Sequence, residues 1–483
     1  MLMKEYPNDA KTAGSTASRR TRNRRGWLLH AGCWALVGLA LCFSGCATRE
    51  TAKPTTLKGA FKNDFYVGVA INRAIAMGSA VRADNVNRTQ EQLDKDIALV
   101  KEQFNQISPE NDLKWALIQP EEGPNGYDFG PADAYVNFGL SNHMYIVGHT
   151  LVWHSQTPAW VFAGTNVPPG VTNRPPPSLA AITNATGTNA LAGGRGGRGR
   201  GFGGRGFGRG FGGGFGGFGF NLNNPHASRE ELLQRMHDHI ATVVGRYKGK
   251  VKVWDVVNEA IADNGTNLLR NSAWSQIIGP DFIAKAFEYA HEADPNAILR
   301  YNDYSLEDPA KRKKLITLIK SLQAQHVPVM AIGSQTHVSV SSPSFEQEDK
   351  ALTELETLGL PIHITEFDVN GARGGQRTFG ADVTNNVTMT SGGLIDNANV
   401  RLANQYSNLF KVFMKHRQYV KVITLWGVND AVSWRRQGSP LLFDGNDQPK
   451  PAFQAVMDVA RSQREYVIVG PPRNRRLVSF PPN

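Results

Sequence analysis

WDVVNEA, Trp254–Ala260, closes a β-branched run in which Val251, Val253, Val256 and Val257 read as a buried strand and Asn258-Glu259 end it. HITEFDV, His363–Val369, follows the same plan: Ile362 and Ile364 lead into Thr365-Glu366-Phe367-Asp368, and the strand is expected to end at Glu366. Short apolar runs bounded by polar residues mark strands. Taken singly, each glutamate is equally well explained as a solvated strand end. The pair asks what the rest of the chain brings to them.

Outward from these stretches, strand-like and helical runs alternate. Phe65–Asn72 (FYVGVAIN) is the first strand, Phe104–Asp112 contains the second, Tyr145–Trp153 (YIVGHTLVW) is the third and Val251–Asn258 the fourth. Ala297–Asp303, Val329–Gln335, the run ending at Glu366 and Val420–Trp426 are the fifth to eighth. Helical runs lie between them at Gln90–Gln103, Pro131–Asn142, Ser228–Tyr247, Asp281–Ala293, Pro309–Gln325, Phe345–Leu358 and Asn399–Lys415, and Pro451–Ser462 closes the pattern. In the first of these, Leu93, Ile97 and Val100 fall at helix spacing. Ser228 and Glu231 make a capping box at the start of another. Eight strand–helix units predict a parallel sheet closed into a (β/α)8 TIM barrel, an α/β fold. A doubly wound open sheet would want a Gly-rich phosphate turn after an early strand, and Gly68 to Gly78 supplies none.

In such a barrel the reacting groups sit where strands end. Here those ends carry Asn72; Glu110, Asn111 and Lys114; His149 and Trp153; Asn258 and Glu259; Asn302 and Tyr304; Gln335 and His337; Glu366 and Asp368; Trp426 and then Trp434. Amides, carboxylates and indoles on one rim suit a ligand with many hydroxyls and flat apolar faces, as sugars have. Singly, His149 or His337 reads as a satisfied structural histidine and Trp153 as core. His237 and His239, two apart on a helix, face different ways and do not read as a metal site. Two carboxylates flanking a glycosidic bond are what its hydrolysis needs, one as acid and the other as nucleophile or base.

SPENDLKW, GHTLVWHSQTPAW, WDVVNEA, YNDY, GSQTH, ITEFDV and LWGVNDAVSWR, in this order, resemble glycoside hydrolase family 10, the endo-β-1,4-xylanases. The resemblance runs from about Phe61 to Met457. It implies a retaining mechanism on xylan with no metal or cofactor. It makes Glu259 the acid/base and Glu366 the nucleophile. It places Glu110, Asn111 and Lys114 at the glycone side, and His149, Trp153, Gln335, Trp426 and Trp434 around the cleaved sugar. It gives His337 the role of holding the nucleophile. Asn258 is placed to bond a sugar 2-OH, and Tyr304 to line the cleft. Ser305 stands where many members carry Asn. On this reading the negative Glu366 raises the proton affinity of Glu259, and Trp153, Trp426 and Trp434 offer faces to sugar rings. A β-1,4-glucan is the alternative substrate for the same glutamates.

The net charge of +11 belongs to two segments. Residues 1–49 carry eight Lys or Arg against two acids, and 192–220 carry five Arg and no acid, which together account for all of it. The remaining chain is neutral, so no nucleic-acid partner is expected. All three cysteines, Cys33, Cys42 and Cys46, fall in the first fifty residues, which excludes thiol chemistry and disulfides from the rest. A basic run from Arg19 to Arg25, an apolar run from Trp27 to Phe43, and Ser44-Gly45-Cys46 follow the order of a secretory signal. Leu41–Cys46 resembles a bacterial lipoprotein signal with Cys46 as the lipidated residue; ordinary cleavage near Ala47 or an uncleaved anchor are the alternatives. The expected organisation is a signal at 1–46, a tether at 47–58, a barrel at 59–465 interrupted by an insertion at 161–227, and an irregular tail at 466–483. The protein is expected to be exported and monomeric, as a membrane-anchored lipoprotein at the cell surface or periplasm, or otherwise secreted.

The insertion departs from the family. Residues 193–220 contain only Gly, Arg and Phe. Such a chain has nothing to bury and is expected to be disordered. Arg-Gly-Gly tracts also occur in RNA-binding proteins, so binding of RNA or a glycan through the tract is a second, lesser reading of function.

Overall fold

The computed structural model describes residues 54–80, 88–166, 222–371 and 395–468. The signal-like segment with Cys46, the Gly/Arg/Phe tract and the segment from 469 lie outside the described residues.

Strands β1 (Tyr66–Ile71), β2 (Gln106–Pro109), β3 (Tyr145–Trp153), β4 (Val253–Asn258), β5 (Ile298–Asp303), β6 (Ala331–Ser334), β8 (Ile362–Asn370) and β9 (Val420–Leu425) pair in parallel in the order β6-β5-β4-β3-β2-β1-β9-β8. Pairing of β6 with β8, Ile332 opposite Ile362, closes the ring. This is the (β/α)8 barrel, with the long insertion following β3. A short strand β7 (His337–Ser339) pairs with the far half of β8. The helices pack outside, each presenting an apolar stripe. Arg229–Arg246 buries Leu232, Met236, Ile240, Val243 and Val244, and the Ser228–Glu231 capping box satisfies its first turn.

Local packing shows how β3 makes room for a large side chain of β4. A β-carbon on Gly148 of β3 would stand 2.2 Å from Trp254 Cε3 of β4, so glycine there admits the buried indole. Inside the ring the filling is partly ionic. Arg300 of β5 donates to Asp255 through Nε and Nη2 at 2.6 and 2.9 Å, His149 Nδ1 lies 2.9 Å from Asp255 Oδ2, and Arg300 Nη1 lies 3.0 Å from His363 Nδ1. Burial works against the Asp255 charge, but Arg300 and His149 outweigh it and hold its carboxyl at about 2. Burial drives His363 down to about 3, with the Arg300 charge acting in the same direction, which leaves a neutral ring.

Four of the boundaries that differ from the sequence expectation have a structural reason. Strand β8 does not end at Glu366 but runs to Asn370, because β7 supplies partners for Asp368, Val369 and Asn370 and because Phe367 and Val369 are buried. The last helix continues from Ser462 to Ile468; the Ser462 hydroxyl bonds back to Val459 O at 3.0 Å within the helix instead of ending it. A helical turn, Leu57–Ala60, begins inside the expected tether with Leu57 buried against the core. The expected insertion at 161–227 has ordered edges: Val161, Phe162 and Ala227 are core residues, and Asn166 pairs with His226 in an antiparallel bridge.

Candidate active site

Glu259 directly follows β4. Its N–H continues the ladder to Asn302 O at 2.9 Å, but its own φ is 57°. That left-handed turn redirects the side chain from the strand line. Glu259 Oε1 accepts from Gln335 Nε2 and Oε2 from Trp153 Nε1, both at 2.9 Å. Glu366, on β8, accepts from Asn302 Nδ2 at 2.8 Å on Oε1 and faces His337 Nε2 at 3.2 Å on Oε2. Both carboxyls are buried.

One amide joins the two halves. Asn258 Oδ1 accepts from Asn302 Nδ2 at 3.0 Å and from Gln335 Nε2 at 3.2 Å, so each donor serves Asn258 and one of the glutamates. With its oxygen occupied twice, Asn258 keeps its NH2 to donate elsewhere. Gln335 Oε1 is buried and has no hydrogen-bond partner among the described residues.

The two carboxyls have opposite proton affinities. Burial pushes Glu259 up to about 7; the Gln335 bond opposes this, while the charges of Asp303 and then Glu366 add to it. Glu366, the expected cause, is thus weaker than burial and Asp303. Burial also favours protonation of Glu366, but the His337 bond and the influence of His149 outweigh it and hold this carboxyl below its ordinary value. His337 is itself held by Asp368, Nδ1 to Oδ2 at 3.1 Å. Burial alone would lower the His337 imidazole; Asp368 and Glu366 reverse that and raise it to about 9. At neutral pH the ring is therefore a cation between two carboxylates. Asp368 also accepts from Trp434 Nε1 at 2.8 Å and Arg435 Nη1 at 3.0 Å, which ties the segment after β9 to the same centre.

The other predicted residues converge on this rim. His149 sits edge-on to Trp426, with centroids 5.5 Å apart, and His337 lies 5.0 Å from the Trp434 ring. Lys114 Nζ donates to Asn111 Oδ1 at 3.0 Å and lies 5.1 Å from the Trp153 ring centroid. The Glu110 N–H bonds Ile71 O at 3.0 Å, which holds the start of that loop to β1. Tyr304 donates to Asp263 Oδ1 at 2.6 Å and accepts from Arg270 Nη2 at 2.7 Å. Trp153 differs from expectation in part. It is 5 % exposed and its N–H is engaged by Glu259, so it holds the carboxyl as well as walling the cleft. Asn72 caps the helical turn Arg73–Met77 by accepting from the Ile75 N–H. His239 stacks on Trp115 at 3.7 Å as a core residue. Among the described residues no group of three or more His, Cys, Asp or Glu is arranged to hold a metal ion.

In the sequence Asn302 stands at a strand end without a role, and Thr365, Asp303 and Arg435 do not stand out. Thr365 Oγ1 donates to Asn302 Oδ1 at 2.7 Å and so orients that amide. The only signal for these residues was their place inside the YNDY, ITEFDV and VSWR stretches.

Residues 57–174 and 220–459 match Glycosyl hydrolase family 10. The chain is 36 % identical over 399 residues to endo-1,4-β-xylanase A of Caldicellulosiruptor sp. strain Rt8B.4, covering 82 % of this chain and 46 % of that one. It thus spans about half the length of that relative. It is 33 % identical over 432 residues to a β-1,4-xylanase of Dictyoglomus thermophilum, covering 87 % of this chain and 97 % of that one. Among solved structures, a complex of a mutant of the intracellular xylanase of Thermoanaerobacterium saccharolyticum with xylotetraose superposes with a TM-score of 0.60 at 31 % identity, covering 83 % of this chain and 97 % of that one.

Proposed function

The chain belongs to glycosyl hydrolase family 10, and from that membership and the site geometry we propose that it hydrolyses internal β-1,4-xylosidic bonds of xylan with retention of configuration. The observation that carries the proposal is the linked pair: Glu259 with its proton affinity raised to about 7 and Glu366 with its own held below the ordinary value, joined through Gln335, Asn258 and Asn302.

Glu366 attacks the anomeric carbon while Glu259 gives its proton to the leaving oxygen. His337 and Asn302 keep the attacking carboxylate charged and aimed. Forming the glycosyl ester removes the negative charge of Glu366. The proton affinity of Glu259 then falls, and it takes a proton from the water that hydrolyses the ester. The Asn258 NH2 is available to the sugar 2-OH, a bond that strengthens as positive charge develops at the ring. Glu110, Asn111 and Lys114 bind the glycone side; His149, Gln335, Trp426 and Trp434 surround the cleaved sugar.

The purified protein is assayed on xylan and on carboxymethyl-cellulose, with the first product's anomer read by NMR. Turnover of xylan with early β-anomer is expected. Early α-anomer would remove the nucleophile assignment, preference for the glucan would change the substrate, and no turnover on either would favour a binding role for the Gly/Arg tract.

Export with lipid attachment at Cys46 is a second proposal, supported by the basic run, apolar run and Ser44-Gly45-Cys46. The substitution Cys46→Ser should leave unprocessed precursor or a soluble protein. Unchanged mass and detergent partitioning would rule lipidation out.

A further inference from the structure

The left-handed φ of Glu259 is disfavoured for any residue with a β-carbon, so its neighbours must hold the turn that aims the carboxyl. The next two peptide units carry that duty. The N–H groups of Ala260 and Ile261 both donate to the phenol oxygen of Tyr301, at 3.0 and 3.1 Å. The phenol donates in turn to Asp303 Oδ2 at 2.8 Å. One oxygen therefore uses its proton and both lone pairs. Asp303 Oδ1 is 2.8 Å from Lys311 Nζ and accepts from the Tyr304 N–H at 2.9 Å. From the other side, Arg270 Nε donates to the Glu259 carbonyl oxygen at 3.2 Å. Tyr301 and Asp303 expose no surface, so neither meets a sugar, and whatever they do for the reaction passes through Glu259.

We propose that Tyr301, backed by Asp303, is a positioning residue for the proton-donating step: its phenol fixes the Ala260–Ile261 turn and thereby the place of the Glu259 carboxyl against the leaving oxygen. The proposal rests on the acid/base reading of Glu259 above. The charged and titratable groups acting on Glu259 include Asp303, Glu366, Arg270 and the Tyr304 phenol, with Lys311 paired to Asp303. Asp303 thus serves twice, as the anchor of the phenol and as a fixed negative charge that favours the protonated acid.

A tyrosine kept only for packing would affect all substrates alike. A positioning residue for the acid affects substrates in proportion to their need for a proton. Tyr301→Phe keeps the ring and removes the oxygen. For this variant kcat/KM on xylotetraose should fall about tenfold or more, as expected for damage to general-acid catalysis. On 2,4-dinitrophenyl xylobioside, whose leaving group departs unprotonated, kcat/KM should stay within about twofold. Equal losses on the two substrates, or no loss on either, would overturn the proposal. If the variant does not fold, Asp303→Asn decides, read at pH 5 where Glu259 stays protonated: with the carboxylate that anchors the phenol gone, kcat/KM should again fall more on xylotetraose than on 2,4-dinitrophenyl xylobioside, and equal losses, or no loss on either, overturn the proposal. Cleavage of xylan by the unaltered protein tests the functional reading; the ratio between substrates in the variant tests this one.

Discussion

Asn302 Nδ2 donates to Glu366 Oε1 at 2.8 Å, and the direction of that bond is set from behind, where Thr365 Oγ1 donates to Asn302 Oδ1 at 2.7 Å. Gly333 makes room for it: a β-carbon there would lie 2.3 Å from Asn302 Oδ1. The amide cannot be flipped without setting oxygen against oxygen at Glu366. Asn302→Asp replaces the donor by a like charge, which disfavours the ionised form of Glu366. The acid limb of kcat/KM should therefore move to higher pH, with activity at pH 5 falling more than at pH 7. An acid limb that stays in place would mean that Asn302 does not act on Glu366.

The sequence made the strands legible because they are short, apolar and bounded by polar groups, and β3 has the expected limits. The position of Glu366 within its strand was not legible. A run is expected to stop at its first charge, but β7, three residues long, pairs with β8 beyond it and buries Phe367 and Val369 there. The glutamates could be found because a carboxylate beside an apolar run is conspicuous. The ionic filling of Arg300, Asp255 and His363 was hidden, because a single charge inside a strand-like run shows no partner until the barrel closes. Tyr301 was equally silent. A tyrosine in a strand reads as core, and only the left-handed turn at Glu259 reveals the work of its hydroxyl.

Glu259, raised to about 7, predicts the alkaline side of the activity profile: turnover of substrates that need a proton falls as pH rises through about 7. Trp153 and Gln335 both donate to this carboxyl and so favour its ionised form. Trp153→Phe removes one donor and should shift the alkaline limb to higher pH, with the direction read from kcat/KM on xylotetraose. A shift to lower pH would show that the indole acts on Glu259 by some route other than this bond.

Glu366→Ala should abolish turnover of every substrate, because no glycosyl ester can form. Glu259→Ala should lose most activity on xylan yet keep rapid glycosylation by an aryl xylobioside with an activated leaving group. Azide should then take the place of the missing base and yield a β-glycosyl azide. Equal loss on both substrate types would refute the role given to Glu259.

The chain leaves and rejoins the barrel around residues 167–221 through a junction that is already closed. Asn166 and His226 exchange backbone hydrogen bonds at 3.0 and 3.1 Å, Ala227 N–H bonds Phe162 O at 2.9 Å, and Phe162 and Ala227 sit in the core. Removing Gly193–Phe220 roughly halves the loop and changes its closure free energy by about 0.6 kcal/mol. For a domain of this size that corresponds to a melting shift of about 1–2 °C. The rate on short neutral xylo-oligosaccharides should be unchanged. The five arginines of the deleted stretch would attract the glucuronic acid groups of glucuronoxylan, and salt screens such exposed charges over about 8–10 Å. Binding of that polymer should therefore weaken in the deletion at low salt and match the full chain at high salt. A melting temperature lowered by many degrees, or a slower rate on neutral oligosaccharides, would show that the stretch packs on the barrel and belongs to the site.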